Sequence, residues 1–422
     1  MSLPGMDPTS TERIRRARLA RLRETRDDGT TKLAPLAMAH PARPDRAEAL
    51  ARDTGGVILA TSARPVVLVE SREALPFSLA GLADLPDPVD PRQPLVLFDT
   101  ETTGLGTGTG TLPFVVGVGT WQDREFVTRQ LLLPEQSDEA GYLDALERLI
   151  PQQACLVSYN GRTFDWPLLV TRYRLHGRRP PAHAAHLDLL PLARSLWRHR
   201  LPDARLASVE RAVCGVQRAH DLPGGLIPAR YLDYLRSGHG GLLRVVLEHN
   251  RQDIVSMALL LRVLAQDLVP AAHADRTPDS VHPGDLGGLG RAYSRRRRHM
   301  EALACFDQAM ERLRDPWELR RYEDIAIDRA RTLTRLGLRD EAEGAWHAIA
   351  LEGGLGAAHA WLHVAKHREH DARDFRSALR ATDRARSVAE RTRLFGRRDR
   401  HVERDLSRRV PRLRRRLAAA ST

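Results

Sequence analysis

Three short segments place acids where they can act on a cation. In F-D-T-E-T-T-G at 98–104, Asp99 and Glu101 stand two residues apart at the end of an apolar run. On a strand, that spacing projects both from one face, so the two anions repel unless a cation neutralises them or one keeps its proton. Paired oxygen donors of this kind suit a hard divalent metal. In Y-N-G-R-T-F-D at 159–165, Asp165 lies in a first helical turn, where the helix dipole welcomes a carboxylate with or without metal. In L-E-H-N-R-Q-D-I at 247–254, His249 and Asp253 are four apart and share one helix face. Each segment alone also fits a solvated acidic edge, a helix cap or a surface pair. Together they offer four carboxylates and one imidazole, a set that suits two divalent ions about 3.5–4 Å apart bridging an attacked phosphate. Histidine titrates near neutral pH, so His249 is the candidate to take a proton from an attacking water.

The elements that position these groups are legible as patterns. L-V-L-F at 95–98 is apolar on both faces, as a central buried strand requires, and 114–119 and 125–131 continue as strands. A helix is expected over 138–149, with Ser137 and Asp138 as caps, then a strand at 154–159, a helix at 163–176, a strand end at 186–190 and a long helix at 241–266. Strands that can pair antiparallel, followed by strand–helix alternation, predict a mixed sheet flanked by helices. Beyond about 283 the strands stop. Ala302, Phe306 and Ala309 recur as Ala342, Trp346 and Ile349 and again as Ala378, Thr382 and Ala385, which predicts tetratricopeptide-like helix pairs or an ordinary helical bundle.

The domain reading is a flexible basic arm at 1–54, short strands and a Pro-rich linker at 55–93, an α/β unit at 94–268, helical repeats at 283–390 and an Arg-rich helix or tail at 391–422. The net charge of +12 is concentrated at the ends: 391–422 carry +9 and 11–26 carry +5. Because Lys32 and Lys366 are the only lysines, the Arg excess alone is compatible with base composition, but its clustering fits polyanion-binding arms. The stripe Val402, Leu406, Val410, Leu413 and Leu417 predicts a helix docked on the repeats, kinked or started by Pro411. Cys155, Cys214 and Cys305 are too scattered for a disulfide framework or a zinc ribbon, so a metal would rely on oxygen or imidazole donors. With no membrane-length apolar run and no secretory leader pattern, the expected location is cytoplasmic, with no membrane partner.

F-D-T-E-T-T-G, N-G-R-T-F-D and H-N-R-Q-D resemble the three motifs of the DEDD exonucleases, which share the ribonuclease H-like fold. The chain resembles the bacterial YprB-type ribonuclease H-like domain more closely still, through T-G-L-G-T-G-T-G at 103–110, H-L-D-L-L at 186–190, H-D-L-P-G at 220–224 and I-P-A-R-Y at 227–231. That family is often followed by tetratricopeptide-like repeats. The resemblance implies a 3′→5′ exonuclease in which Asp99, Glu101, Asp165 and Asp253 hold two Mg²⁺ or Mn²⁺ ions and His249 is the general base. Three residues separate His249 from Asp253, where exonucleases of this superfamily that use histidine usually have four; this is the spacing of the tyrosine subclass. Asp188 is a candidate support residue, and Asp188 and Asp221 are equally candidates for turn positions.

The glycines of 103–110 lack the Lys-Ser/Thr of a phosphate loop and are expected to form a turn between strands. His359, His363, His367 and His370 stand at helical spacing and read as a solvated repeat face or a stray metal site. The expected function is a metal-dependent nuclease acting on DNA or RNA, single strands or 3′ ends, with a protein partner possible through the repeats. The alternatives are a non-catalytic scaffold on the same fold and a structure-directed endonuclease.

Overall fold

Leu95–Phe98 are all buried, which fixes β3 (Leu95–Thr102) as a strand covered on both sides. In the computed structural model, which describes residues 46–422 apart from 105, 107, 123, 219–221, 271–280, 314–317, 319–321 and 421–422, β3 is the third strand from one edge of a seven-stranded sheet. Five further strands precede or follow it: β1 (Val57–Leu59), β2 (Val66–Ala74), β4 (Pro113–Gln122), β5 (Glu125–Leu132) and β6 (Ala154–Ser158), and β7 (His183–Asp188) completes the set in the order β1-β2-β5-β4-β3-β6-β7. Pairing is antiparallel from β1 to β3 and parallel across β3-β6-β7, so the sheet is mixed.

Helices cover both faces. On one lie α1 (Arg46–Thr54), α2 (Glu139–Leu149), α3 (Asp165–Leu175) and α5 (Ile227–Ser237), whose Leu50, Tyr142, Leu146, Tyr173 and Tyr231 share a core with Val96 and Phe98. On the other lie α4 (Leu189–Trp197) and α6 (Arg244–Arg262), where Ile254, Met257, Ala258 and Leu261 share a core with Leu95, Leu97 and Phe126. Each large apolar side chain buried there contributes about 1.5–3 kcal/mol. The helix expected over 241–266 is a 3₁₀ turn, Gly240–Leu243, then α6, then a π-helical stretch, Val263–Leu268. Ser137 and Asp138 do not cap α2: the Ser137 hydroxyl donates to Asp138 Oδ1 at 3.2 Å, and Asp138 pairs with Arg64 at 3.6 Å.

Two domain expectations need correction. Residues 1–45 of the expected arm lie outside the described residues, but Arg46–Thr54 is helix α1, seated by Ala47, Leu50 and Ala51 at i, i+3 and i+4. Residues 55–93 are part of the sheet domain: the expected short strands are β1 and β2, which pairs with β5 over eight residues, but the Pro-rich stretch is not a linker, since Leu82, Leu85 and Val89 among the prolines are buried in the α6-side core.

The remainder is helical: α7 (Pro283–Arg295), α8 (His299–Arg312), α9 (Glu323–Leu336), α10 (Arg339–Glu352), α11 (Ala357–His370), α12 (Phe375–Leu394) and α13 (Arg400–Ala420). The recurring positions are equivalent in packing, since Ala302, Phe306 and Ala309, Ala342, Trp346 and Ile349, and Ala378, Thr382 and Ala385 are all buried. Of the helix or tail expected at 391–422, the structure has the helix, docked on this stack by its apolar stripe. Val402, Leu406 and Leu413 are buried, and α13 runs through Pro411 without a break. Glu369 of α11, fully buried, receives Arg412 Nε at 2.7 Å and the Arg409 guanidinium. No helix among the described residues is long and apolar enough to cross a membrane.

Candidate active site

Alternation on β3 places Leu95, Leu97, Asp99 and Glu101 on the face that α6 crosses. The apolar pair anchors strand to helix, and the acidic pair therefore emerges beneath His249, Asn250 and Asp253. Asn250 makes the link explicit: its Nδ2 donates to Asp99 Oδ2 at 2.9 Å, and its Oδ1 accepts from Gln130 Nε2 at 2.9 Å. Asp99, Gly117 and Gln130 are register partners across β3, β4 and β5, so Asn250 bridges the two outer members of one cross-strand row. Gly117 gives it room, because a Cβ there would stand 2.2 Å from Asn250 Oδ1.

Asp165 opens α3 and accepts a short hydrogen bond from the Thr100 hydroxyl. The turn before it is tight: Asn160 has φ 70°, and a Cβ on Gly161 would lie 2.6 Å from the Ser158 Cβ and 3.1 Å from Asp165 Oδ2. Asp188 pins this turn. Its Oδ1 accepts from Asn160 N at 2.8 Å and Leu190 N at 3.0 Å, and its Oδ2 from Arg162 N at 3.3 Å, so one carboxylate caps α4 and supports the Asp165 loop. Asp221 lies outside the described residues.

Electrostatics record the crowding. Burial, then the charges of Asp165, Asp253 and Glu101, hold the Asp99 carboxyl well above the usual carboxylate range, against the Asn250 hydrogen bond. Burial pushes Asp165 up to about 6, with the Thr100 donor opposing. Burial also raises Asp253, while Arg218 and His249 favour its anion. Glu101 and Asp165 are 7% and 5% exposed. His249 Nε2 is 3.8 Å from Asp253 Oδ2, beyond hydrogen-bond range. Thus the four predicted acids and His249 are gathered at one end of the sheet, and their oxygen donors fit hard divalent ions by type and charge. Asn250, Thr100 and Arg218 each hold one of Asp99, Asp165 and Asp253.

Sequence reasoning missed Asn250, Gly117 and Arg218. The available signal was a glycine inside a strand that reads F-V-V-G-V-G, which marks a close approach by another element. The glycine segment 103–110 does lie between β3 and β4. Of the α11 histidines, His370 is exposed, but His359, His363 and His367 are half-buried: His363 stacks on Trp346 at 4.1 Å between ring centroids, and burial brings it down to about 3.

Among the described residues, one group of three donors closes to within 4.8 Å, and it is His199, His282 and Asp285. Asp285 and His282 are already engaged, whereas His199 Nε2, 3.4 Å from Asp285 Oδ1, is buried without a hydrogen bond. Arg200 holds Asp285 with two bonds, of 3.0 and 2.8 Å, and His282 Nδ1 accepts from Gly284 N at 2.9 Å as the N-cap of α7. A cation there would face both Arg200 and the positive end of α7. The cluster is a clasp between the sheet domain and the helical stack.

Residues 96–265 match the family model of the RNase_H superfamily. The chain is 27% identical over 298 residues to the uncharacterized protein YprB of Bacillus subtilis (strain 168), covering 70% of each chain. A solved structure of exonuclease I aligns with 46% of this chain at 13% identity and a TM-score of 0.29, and the chain spans 45% of that protein's length. The domain at 96–265 has the RNase H-like fold, which supports a nuclease-type function with nucleic acid as substrate.

Proposed function

We propose that this chain, built on an RNase H-like domain, is a metal-dependent phosphodiesterase of the DEDD type, acting as a 3′→5′ exonuclease on DNA or RNA. The observation that carries the reading is the crowding at Asp99, whose carboxyl is raised by burial and by the charges of three other acids drawn from a strand, a second helix start and α6. Keeping mutually repelling anions in a half-dry site costs stability unless a bound cation offsets it. Asp99, Glu101, Asp165 and Asp253 would hold two Mg²⁺ or Mn²⁺ ions. When bound, such ions polarise the phosphate and stabilise the entering and leaving oxygens.

The chain's own residues supply orientation and proton transfer. Asn250 fixes the rotamer of Asp99, Thr100 fixes Asp165, and Asp188 fixes the loop that carries Asp165. His249, 14% exposed beside Asp253, would accept the proton of the attacking water at a ring nitrogen. Exposed arginines of α13 and helix pairs resembling tetratricopeptide repeats would bind the strand or a protein partner.

The test is purified protein with Mg²⁺ or Mn²⁺ on end-labelled single- and double-stranded DNA and RNA, with EDTA controls. Stepwise loss from the 3′ end supports the proposal. Cleavage of circular or end-blocked substrates would make the chain an endonuclease, and binding without cleavage would make it a scaffold.

A further inference from the structure

Arg218 reaches into the acidic cluster from the turn that follows the π-helical segment Glu210–Cys214. Its Nε donates to Glu210 Oε1 at 2.5 Å and its Nη2 to Glu210 Oε2 at 2.9 Å; the same Nη2 also donates to Asp253 Oδ1. Glu210 is 1% exposed and the Arg218 side chain 10%. Glu210 and Asp253 thus share one guanidinium in a place largely closed to solvent. Arg218 cannot withdraw altogether, because that would strand the Glu210 charge in the protein interior. Its hold on Asp253 is different, since that contact rests on one nitrogen that is also bonded to Glu210.

We infer that Arg218 is a positioning residue that serves as a built-in cation on the Asp253 side of the cluster, and that a divalent ion enters there by displacing Nη2 from Asp253 while Glu210 keeps the guanidinium anchored. The inference rests on the metal-dependent reading above. It makes the two ion positions unequal. An ion held by Asp253 would compete with Arg218 and so bind more weakly than the acids alone would allow. If Arg218 were only a staple between its turn and α6, its loss would lower stability and leave metal affinity alone.

The experiment is a Mn²⁺ titration of the full chain, free ion being read by electron paramagnetic resonance, for the wild type, Arg218→Gln, and Arg218→Gln combined with Glu210→Gln. The double variant removes both buried charges and so keeps the fold if the single one does not. The expected result is a weaker Mn²⁺ site that tightens about tenfold or more in either folded variant, with the tighter site changed less. Equal or poorer binding at the weaker site overturns the inference. In the unmutated chain, the Arg218 Nε–H resonance is expected to shift on saturation with Mg²⁺, and a resonance that stays in place overturns it as well. A wild-type chain that binds no Mn²⁺ at all fails the metal-dependent reading itself, whereas normal wild-type binding that is indifferent to Arg218 fails this inference alone.

Discussion

Gly117→Ala places one methyl group where the structure has least room for it. The new Cβ would lie 2.2 Å from Asn250 Oδ1 and 3.0 Å from its Cγ, and Asn250 is fully buried, so the amide must give way. Displacing it breaks the 2.9 Å bond from Gln130, about 1 kcal/mol, and the 2.9 Å bond to Asp99, about 1.5–3 kcal/mol because the acceptor carries charge. Overpacking adds about 1–3 kcal/mol. The expected destabilisation is therefore about 3.5–7 kcal/mol, large against the roughly 5–15 kcal/mol that holds a typical domain together. Urea unfolding monitored by circular dichroism measures it, and cleavage by the surviving folded fraction should fall because Asp99 loses its orienting donor. The decisive comparison is a double-mutant cycle with Asn250→Ala, which removes the group the methyl would strike. The combined variant should cost less than the sum of the singles by about 3.5–7 kcal/mol, because each single loses the Asn250 bonds and the overpacking is relieved. Additive costs, or a Gly117→Ala protein as stable as the wild type, would refute the argument that this glycine exists to seat Asn250.

Asp99→Asn should abolish cleavage while leaving the metal-free fold as stable or more so, because it removes one of four crowded anions; a marked fall in the unfolding midpoint contradicts this. His249→Ala should lower turnover by about 10²–10⁴ with Mn²⁺ binding retained, whereas equal loss of metal affinity would make His249 a ligand. Asp165 keeps its proton in the folded state up to about 6, while an unfolded Asp loses it near 3.8, so the folded state binds more protons between those values. Its contribution to stability therefore falls as pH rises through that window; thermal midpoints of metal-free protein across it should fall less in Asp165→Asn than in the wild type. Arg404, Arg408 and Arg415 are exposed on α13, and replacing all three with Gln should flatten the log K against log salt slope on single strands by about 2, at about 0.7 per lost phosphate contact. An unchanged slope places the substrate elsewhere. This substitution is preferable to truncating the helix, since Val402 and Leu406 are part of the core and Leu413 is buried.

The sheet and the acids were legible because they depend on local periodicity. Leu95–Phe98 could only be an internal strand, and spacings of two and four residues put Asp99 with Glu101 and His249 with Asp253 on common faces. What was not legible depends on partners far away in the chain. Asn250 looks like any polar helix residue until Gly117 is laid beneath it, and Arg218 looks like one of many arginines until Glu210 and Asp253 converge on it. Helix α1 was absorbed into a charged arm because it offers only Ala47, Leu50 and Ala51 to the core. In the stretch read as a linker, the prolines outweighed Leu82, Leu85 and Val89, although an apolar residue every three or four positions is itself a sign of packing.

The helical stack is held at both extremities, and this bears on how it comes apart. A row of helix pairs is close to one-dimensional: each unit is stabilised by its neighbours, so an unsecured terminal unit frays first and the loss of order travels inward. Here α7 is locked to α4, with the Ser195 hydroxyl donating to Gly288 O at 2.9 Å and no space for a Cβ on Gly288, while α13 closes the opposite side around Glu369. With neither extremity loose, melting has no cheap starting point, and the row should unravel as one cooperative block, its amide protons exchanging at similar rates from α8 to α12.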